Sequence, residues 1–121
     1  MYELTIPIRA ISKGRPRLGR RRRAYTPQKT VDYETAIGDA WREAYPDMEP
    51  LEGPLGMQAV FMSNHVYVCI WELEESQRPK YMTGDADNLL KSLADGLNGI
   101  SYKDDKQLHH IEIMFSKEVP E

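Results

Sequence analysis

The sequence predicts an α/β fold, a single domain in which two main helices cover a mixed β-sheet. Several segments alternate apolar and polar residues with the period of two that half-buried strands show, and two others repeat apolar residues at helical spacing. The length of 121 residues suits one domain and leaves little room for two. The elements follow in the order β-α-β-β-α-β, so we expect a mixed sheet with helices packed against it over residues 1–121.

The first strand is predicted over Tyr2–Ala10, where Leu4, Ile6 and Ile8 alternate with other residues. Pro7 has no amide hydrogen to donate to a neighbouring strand, so we expect this strand at a sheet edge or with a bulge at Pro7. A basic loop is predicted next, over residues 12–25, because glycines and a proline interrupt regular structure and the bases repel one another. We expect this loop to become ordered when it binds an anion.

The first helix is predicted from Thr26 to about Tyr45. Thr26 is a suitable N-cap, Pro27 suits the first helical position, and Pro46 follows as a stop signal. The helical spacing is carried by four apolar residues, which are Val31, Ile37, Trp41 and Tyr45.

Two strongly apolar segments, Leu55–Ser63 and Val66–Leu73, are rich in β-branched and aromatic residues. They fit a hairpin whose turn lies at Asn64 and His65, or one long strand followed by a loop. We prefer two strands.

The second helix is predicted over Asp85–Asn98, with Asp85 as the N-cap and Asn98-Gly99 as the C-terminal signal. Its apolar stripe consists of four leucines, Leu89, Leu90, Leu93 and Leu97. A short turn carrying Asp104 and Asp105 comes next.

The last strand is predicted over Leu108–Lys117. Its residues alternate in character, so Ile111, Ile113 and Phe115 are expected to point inward.

The formal net charge of −3 conceals a division along the chain. Residues 1–24 contain eight Lys and Arg and one Glu, a net charge of +7. The remaining residues contain eight Lys and Arg and 18 Asp and Glu, a net charge of −10. One end of the chain is therefore a concentrated cation, which indicates an anionic partner such as nucleic acid.

The single cysteine, Cys69, excludes an internal disulfide and favours a reducing compartment. The sequence contains no apolar run of the roughly 20 residues that a membrane span needs, and no signal-peptide pattern. We therefore expect a cytoplasmic protein without a membrane partner.

Acidic residues with a nearby lysine are the most informative feature of segment 84–107. Asp85 and Asp87 open the second predicted helix, and Lys91 shares a face with Asp87 because it lies four residues further on. The turn after the helix adds Asp104 and Asp105. Carboxylate oxygens suit Mg²⁺, and such a site is suited to cleaving phosphodiesters.

Structural explanations of the same residues stay open at this point. Asp-x-Asp at a helix start often serves capping and the helix dipole. Asp87, Lys91 and Asp95 fit an exposed ladder of ion pairs, and acidic residues in a turn are common for solvation alone.

The whole pattern resembles the RusA family of Holliday junction resolvases. The residues that carry the resemblance are D-x-D-N-L-x-K from Asp85, then Asp95 and Leu97, then D-D-x-Q from Asp104. The N-terminal SKGRPRLGRRRRAYTPQKTVDYE agrees with the opening of that family. The resemblance covers roughly residues 6–117, and Gly84 departs from it because relatives often carry Pro there.

The resemblance implies a small homodimeric endonuclease, mostly encoded by phages and prophages, that uses Mg²⁺, with Mn²⁺ as a possible substitute. Such an enzyme cuts four-way DNA junctions by symmetric paired nicks, in DNA recombination and repair. By their positions in the motif, Asp85, Asp87 and Asp105 match the metal-binding carboxylates, and Lys91 matches the catalytic lysine. Asp104 matches the neighbour of the third carboxylate and is a further candidate ligand, whereas Asn88 and Asp95 are assigned to structure first.

The basic loop provides the candidate DNA contacts, because Arg and Lys dominate the affinity of proteins for phosphates. These residues are Lys13, Arg15, Arg17, Arg20, Arg21, Arg22 and Arg23. A basic segment without a fixed target is the alternative reading of this loop. At the level of function, the alternatives are a DNA-binding module without nuclease activity and a less specific nuclease of branched DNA.

Other polar and aromatic residues are assigned to structure. The histidines His65, His109 and His110 are interpreted as structural or surface residues, since neighbours in a strand point to opposite faces and cannot chelate one ion together. Trp41 and Trp71 are interpreted as core or interface aromatics, and Cys69 is expected to be buried.

Overall fold

The computed structural model describes residues 1–12, 17–18, 24–25 and 27–117. They form a mixed α/β structure with a three-stranded antiparallel sheet and two helices, which confirms the predicted fold class. The chain divides into two compact units, Met1–Glu75 and Ser76–Glu121. In the part that the structure describes, no helix has the length and apolar character needed to span a bilayer.

The predicted basic loop contains a short ladder. Strand β2, Arg17–Leu18, pairs antiparallel with β3, Ala24–Tyr25. This pairing corrects the expectation of a loop without regular structure over 12–25. The pairing places Leu18 opposite Ala24 and Arg17 opposite Tyr25. Residues 13–16 and 19–23 themselves lie outside the described part of the chain.

The sheet of the first unit has the strand order β1-β5-β4. Strand β1 is Tyr2–Ile6, β4 is Leu55–Phe61 and β5 is Val66–Glu72, and both pairings are antiparallel. β4 and β5 form the predicted hairpin, in which the Met62 amide donates to the His65 carbonyl over 2.9 Å. β1 lies at an edge and ends before Pro7, earlier than predicted, because Pro7 cannot donate to a ladder.

Helix α1, Gln28–Ala44, contacts β1 at its C-terminal end. The rings of Tyr45 and Tyr2 meet edge to face, with centroids 5.5 Å apart. α1 begins one residue later than the sequence indicates, because Pro27 occupies the N-cap position rather than the first helical one. Thr26, the predicted cap, lies outside the described residues.

The buried core of the first unit is small. Ile6 on β1 and Val66 on β5, which face each other across the ladder, are both buried. Cys69 is buried as predicted, and its thiol lies 4.0 Å from a carboxylate oxygen of Glu3. Burial and the contacts with the Cys69 and Glu3 side chains raise the pKa of Tyr67 to about 12.

The second unit consists of α2, Ala86–Leu97, and a turn that ends in a 3₁₀ helix, Asp105–Gln107. Asn98 is the C-cap of α2, and Gly99 follows with φ at +80°, a conformation that favours glycine. The Tyr102 hydroxyl donates to the Ala94 carbonyl over 2.8 Å, which folds the turn back against the end of the helix.

The predicted last strand is not formed. Residues 108–117 adopt no regular secondary structure, and within the described residues they pair with no other strand. Ile111 and Ile113, expected to point inward, are 50% and 44% exposed, while Phe115 is half-buried. Alternating residues are typical of a strand, but a strand also needs a partner strand, and the spacing of residues does not reveal one.

Candidate active site

The first candidate ligands lie at the start of α2. Asp85 is its N-cap, and Asp87 lies in its first turn, with both side chains exposed. The Asp85 backbone carbonyl accepts from the Leu89 amide over 3.0 Å, but the Asp85 side chain makes no capping hydrogen bond. Capping therefore does not occupy this carboxylate, which stays available to a cation.

Lys91 lies one turn beyond Asp87 on α2 and is exposed. Among the described residues, no ion pair within 4.0 Å links it to Asp87 or to Asp95. The structure thus does not form the ladder of surface ion pairs that was the structural explanation for this spacing. The ammonium group and the two carboxylates near it remain free to bind other groups.

Asp104 has a local structural role as the N-cap of the 3₁₀ helix. One of its carboxylate oxygens accepts from the Lys106 amide over 2.9 Å. In return the Gln107 side-chain oxygen accepts from the amides of Asp104 and Lys103, over 3.0 and 2.9 Å. This reciprocal capping box stabilises the turn that carries the adjacent Asp105.

The carboxyl groups of Asp104 and Asp105 share a hydrogen bond. It lowers the pKa of Asp104 and raises the pKa of Asp105. The Lys106 amide, followed by the hydrogen bond from Asp105, holds the pKa of Asp104 below its ordinary value. The hydrogen bond to Asp104, with some desolvation and the charges of Asp104 and Asp95, raises the pKa of Asp105. Asp105 thus keeps a proton to higher pH than its neighbour.

The structure does not gather all the predicted ligands at one point. Asp105 responds to the charge of Asp95, which lies on the last turn of α2, eight residues after Asp87. Eight residues of α-helix correspond to about 12 Å along the axis. Within the described ranges, no group of three or more His, Cys, Asp and Glu side chains is placed to hold one metal ion.

The family model described as Endodeoxyribonuclease RusA matches residues 7–121, nearly the whole chain. The chain belongs to the RusA family of endodeoxyribonucleases. This places it among the nuclease hydrolases, in a family that resolves Holliday junctions and binds branched DNA. No curated protein and no solved structure gave a match.

Arg78 supports the loop that leads to the RusA-type Asp-x-Asp motif, and the sequence patterns gave no signal for it. Its guanidinium donates to the Met82 carbonyl over 3.3 Å and also to the Gly84 carbonyl. Gly84 has φ at +90°, a conformation that favours glycine and that a proline cannot adopt, because its ring fixes φ near −65°.

The predicted DNA contacts of this RusA family member fall almost entirely outside the described residues. Only the backbone of Arg17 is described, in β2. The others are Lys13, Arg15, Arg20, Arg21, Arg22 and Arg23, and their role stays a prediction.

The histidines of this RusA family member lie at the surface, as interpreted. His65, His109 and His110 are all exposed, and His110 contacts the Glu112 carboxylate at 3.2 Å. Trp41 packs on Tyr45 with ring centroids 4.9 Å apart, which fits the packing role assigned to it.

Proposed function

We propose that this protein is a Mg²⁺-dependent, structure-selective endodeoxyribonuclease that resolves Holliday junctions by symmetric paired nicks. The observation that carries the proposal is the unused carboxylate of Asp85 at the start of α2, beside Asp87 and one turn from Lys91, in a member of the RusA family. We assign the activity to DNA recombination and repair in the bacterial cytoplasm, in a phage or prophage context.

The donor groups at the start of α2 fit Mg²⁺, which is usually bound by one or two carboxylates together with water and substrate phosphate. We assign Asp85 and Asp87 as the ligands at the start of α2. By its position in the family motif Asp105 is assigned as the third, although its side chain lies near Asp95 in this structure, and Asp104 holds the turn that carries it. Mn²⁺, which prefers the same oxygen ligands, is expected to substitute. When bound, the ion stabilises negative charge on the scissile phosphate and lowers the pKa of a water molecule.

Lys91 is assigned to the charge that develops during cleavage. Its ammonium group is exposed and free of ion pairs among the described residues, so it is available to a phosphate oxygen. A positive charge at that position stabilises the transition state or the leaving oxygen. The arginines of segment 19–23 would offset the repulsion between DNA and the acidic remainder of the chain.

A homodimer follows from the reaction proposed. A four-way junction has two-fold symmetry, and two matched nicks require two active sites related by that symmetry. One chain of 121 residues carries one set of the assigned residues, so the second set comes from a second copy.

The experiment that tests this function uses a labelled synthetic four-way junction, with and without Mg²⁺. Linear duplex, flap and fork substrates of matched sequence are the controls. The proposal expects metal-dependent nicks at symmetric positions in two opposing strands of the junction. Binding without cleavage in any divalent metal would support a DNA-binding module instead, and equal cleavage of all the branched substrates would support a less specific nuclease.

A further inference from the structure

Arg78 lies in the loop before α2, and its side chain bonds to backbone rather than to an acid. The guanidinium Nε donates to the Met82 carbonyl over 3.3 Å, and Nη2 donates to the Gly84 carbonyl. Among the described residues Arg78 forms no ion pair within 4.0 Å, so it occupies neither carboxylate at the start of α2. This half-buried arginine therefore supports the loop and leaves the candidate ligands available to a cation.

The guanidinium of Arg78 is held by contacts of its own. Its central carbon lies over the Phe115 ring, 4.7 Å from the ring centroid. The Arg78 backbone amide donates to the Ser76 hydroxyl over 3.2 Å. A planar guanidinium supported in this way loses little further freedom when it binds two carbonyls at once, so it can act as a rigid clamp.

The bond to the Gly84 carbonyl acts on Asp85 through the peptide plane. This carbonyl and the Asp85 amide and Cα belong to one planar peptide unit, so holding the carbonyl restrains the backbone of Asp85. Packing does not fix Gly84, a permissive residue with φ at +90°, because a Cβ there would meet no atom within 4 Å. On the other side, the Asp85 carbonyl accepts from the Leu89 amide within α2. The backbone of Asp85 is thus held on both sides, while its carboxylate makes no capping bond.

We propose that Arg78 is a positioning residue of the metal site, which holds the Gly84 carbonyl and thereby the backbone that carries the Asp85 carboxylate. The inference rests on the proposed function for the identity of the site. It adds a residue outside the Asp-x-Asp motif on which affinity for the metal depends. Replacing a group that orients a metal ligand commonly weakens metal binding by about 10- to 100-fold.

The direction of the effect separates positioning from simple electrostatics. A guanidinium repels a divalent cation, so removing its charge alone would tighten metal binding. Loss of positioning has the opposite result, because the Asp85 backbone is then free to move. Arg78→Ala is expected to bind Mn²⁺ about tenfold more weakly than the wild type, against the direction that its charge predicts.

Equilibrium binding of Mn²⁺ alone, without DNA, is the direct test. The electron paramagnetic resonance signal of free Mn²⁺ falls as the ion binds and so measures affinity. Asp85→Asn identifies the ion of this site, because that ion is lost in the variant while ions at other carboxylates remain. Lys80→Ala is the matched control, since it removes an exposed positive charge from the same loop. It should bind Mn²⁺ as tightly as the wild type or more tightly.

Two further variants separate positioning from charge and from stability. Arg78→Lys keeps the charge but lacks the planar fork, so its affinity for Mn²⁺ should lie between those of Arg78→Ala and the wild type. Gly56→Ala, whose added Cβ clashes with the Trp71 ring in the first unit, controls for a general loss of stability. It should keep the wild-type affinity for Mn²⁺.

Phe115→Leu tests the ring that supports the guanidinium. The variant keeps an apolar side chain but removes the cation–π contact, so Mn²⁺ binding should weaken by about threefold. Combined with Arg78→Ala, it should weaken binding no further, because Phe115 acts through Arg78. If Arg78→Ala does not fold, Arg78→Lys and Phe115→Leu decide the question.

Nicking of a labelled junction distinguishes positioning from a direct DNA contact. In Arg78→Ala, the Mg²⁺ concentration for half-maximal nicking is expected to rise about tenfold. The rate at saturating Mg²⁺ and the junction affinity without metal should stay within about threefold of wild type. Weaker junction affinity with unchanged Mn²⁺ binding would make Arg78 a phosphate contact and overturn the proposal.

The results also separate this proposal from the proposed function. If Asp85-dependent Mn²⁺ binding weakens in Arg78→Ala but the wild type nicks no junction, the proposed function fails and the positioning role stands. If the wild type nicks junctions and Arg78→Ala binds Mn²⁺ as tightly as wild type, the positioning role fails alone. A wild type without Asp85-dependent Mn²⁺ binding would overturn the positioning role as well.

Discussion

The guanidinium of Arg78 lies over the ring of Phe115, 4.7 Å from its centroid. The same guanidinium donates to the carbonyls of Met82 and Gly84, the latter directly before Asp85. Arg78 thus links residues near the end of the chain to the loop that enters the candidate active site. Arg78 thus makes a cation–π interaction with one ring and donates hydrogen bonds to two backbone carbonyls that belong to no strand.

Arg78→Ala is expected to loosen this loop. The change removes two hydrogen bonds and the cation–π contact, so we expect a loss of about 1–3 kcal/mol in the free energy of unfolding. Urea denaturation measures the loss, and hydrogen exchange at residues 83–86 localises it. Arg42→Ala is the matched control, because Arg42 pairs with Asp39 on an exposed surface and should change stability by less than about 1 kcal/mol. Equal effects of the two variants would contradict the role of Arg78.

Gly56→Ala is expected to destabilise the hairpin. A Cβ at Gly56 would clash with the ring of Trp71, directly across the strand pair, so the ring must move. Overpacking of this kind costs about 1–3 kcal/mol. Gly96→Ala in α2 is the control, because a Cβ there meets no atom within 4 Å, and it should stabilise the protein by about 0.5–1 kcal/mol. Thermal unfolding followed by circular dichroism compares the two, and a neutral Gly56→Ala would show that Trp71 does not occupy this position.

Asp104 and Asp105 are expected to make the free energy of unfolding depend on pH in opposite directions. The pKa of Asp104 is lowered in the folded state, so its stabilising contribution is present above its unfolded pKa and is lost as pH falls through the folded value. The pKa of Asp105 is raised, so its contribution is present below its unfolded pKa and is lost as pH rises through the folded value.

Carboxyl carbon shifts in an NMR titration measure both groups of this pair. Asp104→Asn is expected to lower the pKa of Asp105, since the neighbouring charge and the shared hydrogen bond are both changed. Asp95→Asn should lower the pKa of Asp105 by less, because the influence of Asp95 is smaller. A higher pKa for Asp104 than for Asp105 in the wild type would contradict the hydrogen-bonding pattern of the turn.

The arginine-rich segment predicts a salt dependence of junction binding. Replacing Arg20, Arg21, Arg22 and Arg23 by Ala removes up to four phosphate contacts. The slope of log affinity against log salt concentration is then expected to become less steep by up to about 4. Fluorescence anisotropy with a labelled junction measures this slope. The double variant Lys29→Ala, Arg42→Ala in α1 controls for general charge, and an unchanged slope in the quadruple variant would remove the segment from the interface.

The elements that depend on local signals were predictable from the sequence. α2 combines a leucine stripe with a cap at each end, and its bounds of Ala86–Leu97 lie within the predicted segment. The hairpin of β4 and β5 needs only a short turn between two apolar runs. The position of β1 at an edge followed from Pro7 alone.

Features that depend on contacts distant in sequence were not predictable. Residues 108–117 alternate as a strand would, but their alternation does not show which strand, if any, lies beside them. The spacing of Asp104 and Asp105 did not reveal the capping box of their turn, or that Asp105 lies within the influence of the Asp95 charge. Arg78 lies outside every periodic pattern, because its partners are backbone carbonyls in a loop and one distant ring.

In the proposed function, Asp87 belongs to the cleavage site rather than to a solvated helix surface. The most direct measurement is the rate of junction nicking in Mg²⁺ by Asp87→Asn, with junction affinity measured in parallel. We expect nicking to fall at least about a hundredfold while affinity stays within about threefold. Asp47→Asn, an exposed aspartate in the loop after α1, should nick like the wild type. Nicking by Asp87→Asn at the wild-type rate would contradict the account.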